Sequence, residues 1–571
     1  MVARAPLLAG LAAIVWLAGC GASDADPAAS STHPDPTVTP SPDPDPDPGP
    51  GPGPVSDDIE ELPAHRLLIR ASLDLRGVRP SVDDLDRIAA DPDAYEALVD
   101  DYLADPRFAD RVMDLFAEIY LTQTEQYFLN LAAYGVEDVP TPVLLDAIGS
   151  EALQVLGEVA REDLPITDLV TADWTMANEV TARLWPLDYP EGETGWKRAH
   201  YTDGRPAAGV LSGTGIWWRY QSTDSNANRK RANQASRILL CNDYLVRPID
   251  FDRNVNLLDD DAIADAIKTN PGCVNCHVSL DPFAAYFFGF TSFNPDSTDA
   301  GRYHPSRERM GEDILGVTPG FYGDPGSSLA DLGWQIARDN RFPQCMTEHV
   351  TELMLRRDAE LLDFERLTEH RNALIEGDLA LRPLFRSVVT SPEYRAGTDA
   401  GLPGTQVPLK MVTPGLLASQ VADLTGFSWT AGGWDLMQSD QVGFLTLAGG
   451  ADGSFVTKHS RSPNVTLLLV QERLAEASAA YVVAEDLVSE SPRLFDVLPP
   501  STHVDDDPTA AVAQLQSLHR RIFGTTVAAD GPEVEPNLAL WHDLYDIEGD
   551  PEGAWGGVLT ALLRDPDLLL Y

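Results

Sequence analysis

Apolar side chains that recur at three- and four-residue steps are the feature that most constrains this chain. In "EALVDDYLADPRFADRVMDLFAEIYLT", Leu98, Tyr102, Phe108, Val112, Phe116 and Tyr120 follow that spacing. It lines them along one helical face. Pro106 interrupts the run once, because proline has no amide hydrogen to give to a helix. Similar spacing occurs around 146–159, 232–244, 346–356, 466–487 and 510–523. Alternating strand patterns are scarce, and "GVLSGTGIWWRY" (209–220) and "SFVTKHS" (454–460) suggest short hairpins or loops. The pattern predicts a mainly α fold.

One short phrase recurs: "LADPRF" at 103–108, "VTSPEY" at 389–394 and "LRDPDL" at 563–568. An Asp or Ser is placed to cap a helix, and Pro takes the first helical position. The phrase marks either a shared capping habit or a repeated helical module. The third copy places a packed element at the C-terminal end.

The segment before the helical part has a different composition. Arg4 precedes an apolar run from Leu7 to Leu17, which ends in "LAGC". The run is too short to span a bilayer. It resembles a bacterial lipoprotein signal peptide over residues 1–20, with Cys20 as the lipidated residue. The alternative is an ordinary signal peptide with an incidental cysteine. Gly21 after Cys20 favours the outer membrane. Residues 21–56 contain "HPDPTVTPSPDPDPDPGPGPGPV". Alternating proline favours an extended, core-free spacer. The order predicts an extracytoplasmic, oxidising setting, with a lipid on Cys20 as the membrane attachment. Downstream, boundaries near Asp57, Asp260 and Gly404 divide the chain into a helical domain (57–260), a second helical region (261–400) and a helical C-terminal domain (409–571).

The formal net charge of -48 argues against nucleic-acid binding, because a phosphate-binding face needs clustered Lys and Arg. Nucleic acid is therefore not expected as a partner. The one basic cluster considered, Arg229-Lys230-Arg231, either balances local charge or meets an anionic group. The "DDD" at 259–261 lacks the alternating ligand spacing of a calcium loop.

Chemistry concentrates in "PGCVNCHVSLDP" (271–282). C-x-x-C-H is the attachment signature of c-type haem. Cys273 and Cys276 would hold the porphyrin and His277 its iron. A local disulfide and a zinc half-site are the alternatives. Zinc needs two more matching ligands, and Cys241 with Cys345 form a poor second half. In an oxidising compartment those two either pair as a disulfide or pack as buried thiols. For the far side of the iron the candidates are Met310, Met346, Met354, His304 and His349, or no residue at all.

Around this motif stand "AAGVLSGTGIWWRYQSTDSNANRKRANQASRILLC" (207–241), "CVNCHVSLDPFAAYFFGF" (273–290) and "RFPQCMTEHVTELMLRR" (341–357), with "HRLLIRASLDLRGVRPSVDDL" (65–85) upstream. Together they resemble the planctomycete- and myxobacterial-type cytochrome c-related families, whose domains are mostly of unknown function. Those families carry a "GVL" segment, an Arg run ending in "LLC", a "CxxCHxxxDP" motif and a later "F-x-x-C" helix, and all four occur here in that order. The chain departs from them after the motif, where "DPFAAYFFGF" replaces the usual "DPxGFALENFD" and its acidic residues are missing. The resemblance implies a c-type cytochrome-like helical haem region and a secreted or surface-exposed haem protein with haem c as cofactor. Such proteins are often encoded beside a second secreted protein partner. The resemblance implies no established reaction. The expected function is electron transfer. The alternatives are a non-catalytic surface binding protein and a peroxidase-like haem oxidoreductase, and the sequence does not decide between carrier and enzyme.

Overall fold

The helices begin where the sequence supplies caps. Ser81 accepts from the Asp84 amide and Asp84 answers through its carboxylate, a closed capping box. In the recurring phrase, Asp105 accepts from the Arg107 amide. Ser391 accepts from the Tyr394 amide, and Asp565 from the Asp567 amide. The elements that follow have 14, four and three residues. The three copies therefore share their capping chemistry and not a common module.

This is a computed structural model, and it describes residues 60–246, 255–256, 259–294, 296–360, 363–398 and 409–571. The signal segment with Cys20, the spacer 21–56, the boundary positions Asp57 and Gly404, and parts of 242–261 lie outside the described residues. The fold is mainly α. Among the described residues the sheets are four two-stranded ribbons with strands of two or three residues. "GVLSGTGIWWRY" is not a hairpin: Gly209–Ser212 forms a 3-10 turn and Thr214–Arg219 a helix. "SFVTKHS" contains no strand. The helix Val465–Val488 is the longest of those described, at 24 residues. No described helix is long and apolar enough to cross a membrane.

Apolar residues gather into two large cores and one small one. The first runs from Leu67 to Tyr394. The second joins residues 411–571 to Ile69 and Leu73, and the third surrounds Tyr134 and Trp185. The helix Ala64–Arg76 serves both large cores. Leu67, Leu68, Ala71 and Leu75 face the first, and Ile69 and Leu73 face the second. This helix is apolar on two sides because it is covered on two sides. The boundary expected near Asp260 does not divide the core. Helix Arg229–Leu240 packs on both Pro271–Ala284 and Arg341–Leu355, and residues from both sides of 260 fill one interior.

Candidate functional site

Asn270 opens the helix Pro271–Ala284 by accepting from the Gly272 amide, and Pro271 takes the first position. Cys273, Cys276 and His277 therefore stand at i, i+3 and i+4 on a single helical face. Pro282 cannot donate to the carbonyl four residues back, so the helix ends at Ala284 and tightens into the 3-10 segment Ala285–Phe290. That segment is buried throughout and anchors the helix on the first core. Phe287 packs edge-on against Trp217, ring centroids 4.8 Å apart. The thiol-bearing turn thus sits on a fixed base.

Cys273 and Cys276 are free thiols, each half-buried, and Cys276 packs against the first core. His277 Nδ1 lies 2.8 Å from Asp281 Oδ1. Asp281 also receives a two-pronged contact from Arg229, with Nε to Oδ1 at 2.7 Å and Nη2 to Oδ2 at 2.9 Å. Burial raises the Asp281 carboxyl, but Arg229 and then His277 outweigh it and hold it below the usual carboxylate range. An ionised Asp281 accepts the Nδ1 proton of His277. That fixes the tautomer and leaves Nε2 as the lone-pair nitrogen. Asp281 was part of the quoted sequence motif but was assigned no role there. The signal was present, because a carboxylate four residues after a histidine on a helix shares its face.

The basic cluster resolves into separate tasks. Arg229 holds Asp281. Arg231 is buried and donates to Asn228 Oδ1 at 2.9 Å. Two of the three positive side chains are thus committed inside the protein.

Large apolar side chains are exposed on this helix and on the segment tied to it. Val278, next to His277, is 68 % exposed, and Leu245 and Val246 are 76 % and 78 % exposed. Tyr244 ties the latter pair to the helix through Ser279, oxygen to oxygen at 3.0 Å. These side chains leave apolar surface exposed on and near the helix that carries the two thiols and the oriented imidazole.

Cys241 and Cys345 are joined as a disulfide, with their Cα atoms 5.2 Å apart. His349 stands against it, with Nε2 3.3 Å from Cys345 Sγ and 3.0 Å from the Ile238 carbonyl. Among the described residues this is the one place where three metal-ligating residues meet, and two of their three donor atoms are consumed by the disulfide. No second pair of ligands for zinc gathers at Cys273 and Cys276 among those residues. Four of the five distal candidates are occupied elsewhere, His349 by the contacts just given. His304 Nε2 lies 3.1 Å from the Asp299 carbonyl, and Met346 and Met354 are core residues. Met310 starts the helix Met310–Leu315 and packs against the first core.

Residues 58–134 match PSCyt2, a protein of unknown function (DUF1549). The match links the chain to a planctomycete cytochrome c-related domain and covers the two-faced helix Ala64–Arg76. The CxxCH helix lies outside the matched PSCyt2 segment. No curated protein and no solved structure matches the chain.

Proposed function

We propose that this chain is an extracytoplasmic c-type haem protein, held at the cell envelope by a lipid on Cys20, that carries electrons. The observation that carries the proposal is the constellation on helix Pro271–Ala284: two free thiols and a histidine on one face, with the histidine's Nδ1 held by Asp281. The donor set fits haem c. Cys273 and Cys276 would form the thioethers and His277 Nε2 would ligate the iron. Bound haem c supplies a one-electron iron couple. The protein residues do the rest. Asp281 holds the Nδ1 proton and fixes the ring plane, and Arg229 fixes Asp281. The exposed apolar side chains of Val278, Leu245 and Val246 would offer apolar contact to the bound group.

The test is a haem stain on a denaturing gel, with the protein made in a host competent for cytochrome c maturation. A band that stains in the wild type and not in Cys273→Ala/Cys276→Ala supports the proposal. Good export with no stained band overturns it in favour of a non-catalytic binding protein for a secreted partner.

A haem oxidoreductase is a second reading, and one observation favours it: four of the five distal candidates, the two core methionines and the two bonded histidines, are engaged elsewhere. An open iron would shift its absorption on adding cyanide or carbon monoxide. A spectrum indifferent to both leaves the carrier.

A further inference from the structure

Far along the chain from the CxxCH helix, the helix Arg107–Tyr120 and the 427–459 loops enclose a cavity of about 990 Å³. It has the size of a small-molecule site. Its walls carry seven carboxylates against a single guanidinium, Arg111, and no lysine. Aromatic rings stand among them: Trp429 and Trp434 half-buried, Phe455 exposed.

Four of the carboxylates serve the protein itself. Glu118 pairs with Arg356. Glu125, Asp440 and Asp452 accept from the surrounding loop amides and hydroxyls. Among the described residues, none of the six other than Glu118 has a close cation. Asp114 reaches Arg111 only at 3.9 Å. Asp146 is bonded to the Ser150 hydroxyl, and Asp435 to the Met437 amide. Neither Asp146 nor Asp435 meets a cation among the described residues. Asp114 is crowded by protein atoms yet keeps 67 % of its side chain accessible to water, as a carboxylate on the wall of a groove does. Crowding by protein pushes Asp114, Asp146 and Asp435 above the usual carboxylate range.

We propose that this groove binds an organic cation, an amine or guanidinium borne on an aliphatic chain. A neutral ligand would strip water from these carboxylates and leave them unbalanced, which is unfavourable. A cation balances them. The indole faces of Trp429 and Trp434 attract the same positive group, and they pack against the methylenes that carry it. The net charge of -48 steers cations toward the protein in general, and the groove adds shape to that attraction. The chemistry has two sources, a free polyamine or a lysine-bearing peptide segment.

The experiment titrates the full-length protein with spermidine, with hexalysine and with maltohexaose, and reads calorimetry and tryptophan emission. Saturable binding of either cation supports the proposal if Trp434→Ala and Asp114→Asn/Asp146→Asn each weaken it by about tenfold or more. Tighter binding of spermidine assigns the site to a polyamine, and tighter binding of hexalysine assigns it to a peptide. The absence of saturable cation binding overturns the proposal. So does affinity unchanged in the variants, which would mark general adhesion to an acidic surface. Maltohexaose bound in place of the cations overturns it in favour of a glycan site. The carboxylate variant changes only exposed side chains, so it decides the matter if Trp434→Ala unfolds.

Discussion

Lys410 and Asp74 form an ion pair in which each side chain is 1 % exposed. Asp74 also accepts from Tyr394 Oη at 2.6 Å and from Tyr571 Oη at 2.9 Å. The backbones of Lys410 and Tyr571 bond to each other in both directions. One buried carboxylate on the helix shared by the two large cores therefore gathers the end of the first core and both ends of the second. Burial pulls the Lys410 ammonium down to about 7, against the opposing attraction of Asp74.

Lys410→Met is expected to destabilise the protein by about 3–5 kcal/mol, because it leaves Asp74 buried and unpaired. The double variant Lys410→Met/Asp74→Asn is expected to recover most of that loss, since both charges go together. Urea unfolding of the three proteins checks this. Equal losses in the single and double variants would refute a pairing role.

In the proposed haem-bound form, Asp281→Asn is expected to leave the thioether attachment in place while raising the reduction potential by about 50 mV, close to tenfold in the equilibrium. A neutral amide withdraws less proton density from His277 Nδ1, which weakens the imidazole as a donor to ferric iron. Redox titration measures the shift, and the haem stain shows separately that attachment survives.

Removing the disulfide by Cys241→Ala/Cys345→Ala is expected to cost about 2–4 kcal/mol. The bond closes a loop with a sequence separation of 104, so its loss frees a large unfolded ensemble. Thermal melting, with and without reductant, tests this: reductant should affect the wild type and leave the variant unchanged.

Stability should also fall in acid through His349. Burial pulls this imidazole down to about 4, whereas an unfolded histidine titrates near about 6.5. Between those values the unfolded chain binds the extra proton. The contribution of neutral His349 is therefore complete above about pH 6.5 and is lost as pH falls toward 4, by about 3 kcal/mol at most. His349→Gln, which keeps a donor for the Ile238 carbonyl, should flatten the stability profile across that window. Unfolding midpoints measured at half-unit pH steps would expose a failure.

Helical class, helix starts and the shared face of Cys273, Cys276 and His277 were legible because each depends on neighbours within four residues. Asp281 belonged to the same local arithmetic and was legible in principle. The short hairpin or loop expected at 209–220 is helical instead, for a tertiary reason. Val210, Leu211, Ile216 and Trp217 are all buried in the first core, so no solvent-facing alternation was needed. The boundary near Asp260 failed similarly, since a change in composition along the chain does not require a break in the interior.

By itself the sequence determined the local grammar: helical periodicity, caps, and a motif whose spacing places three reactive side chains on one face. Only the tertiary structure decided which distant groups meet. Arg229 reaches Asp281 across 52 residues, Cys241 meets Cys345 across 104, and Lys410 meets Asp74 across 336. The physical reason is that backbone geometry propagates over only a few residues. Long-range pairs are selected instead by what two cores must bury together, and a charge taken into such an interior has to find its partner there.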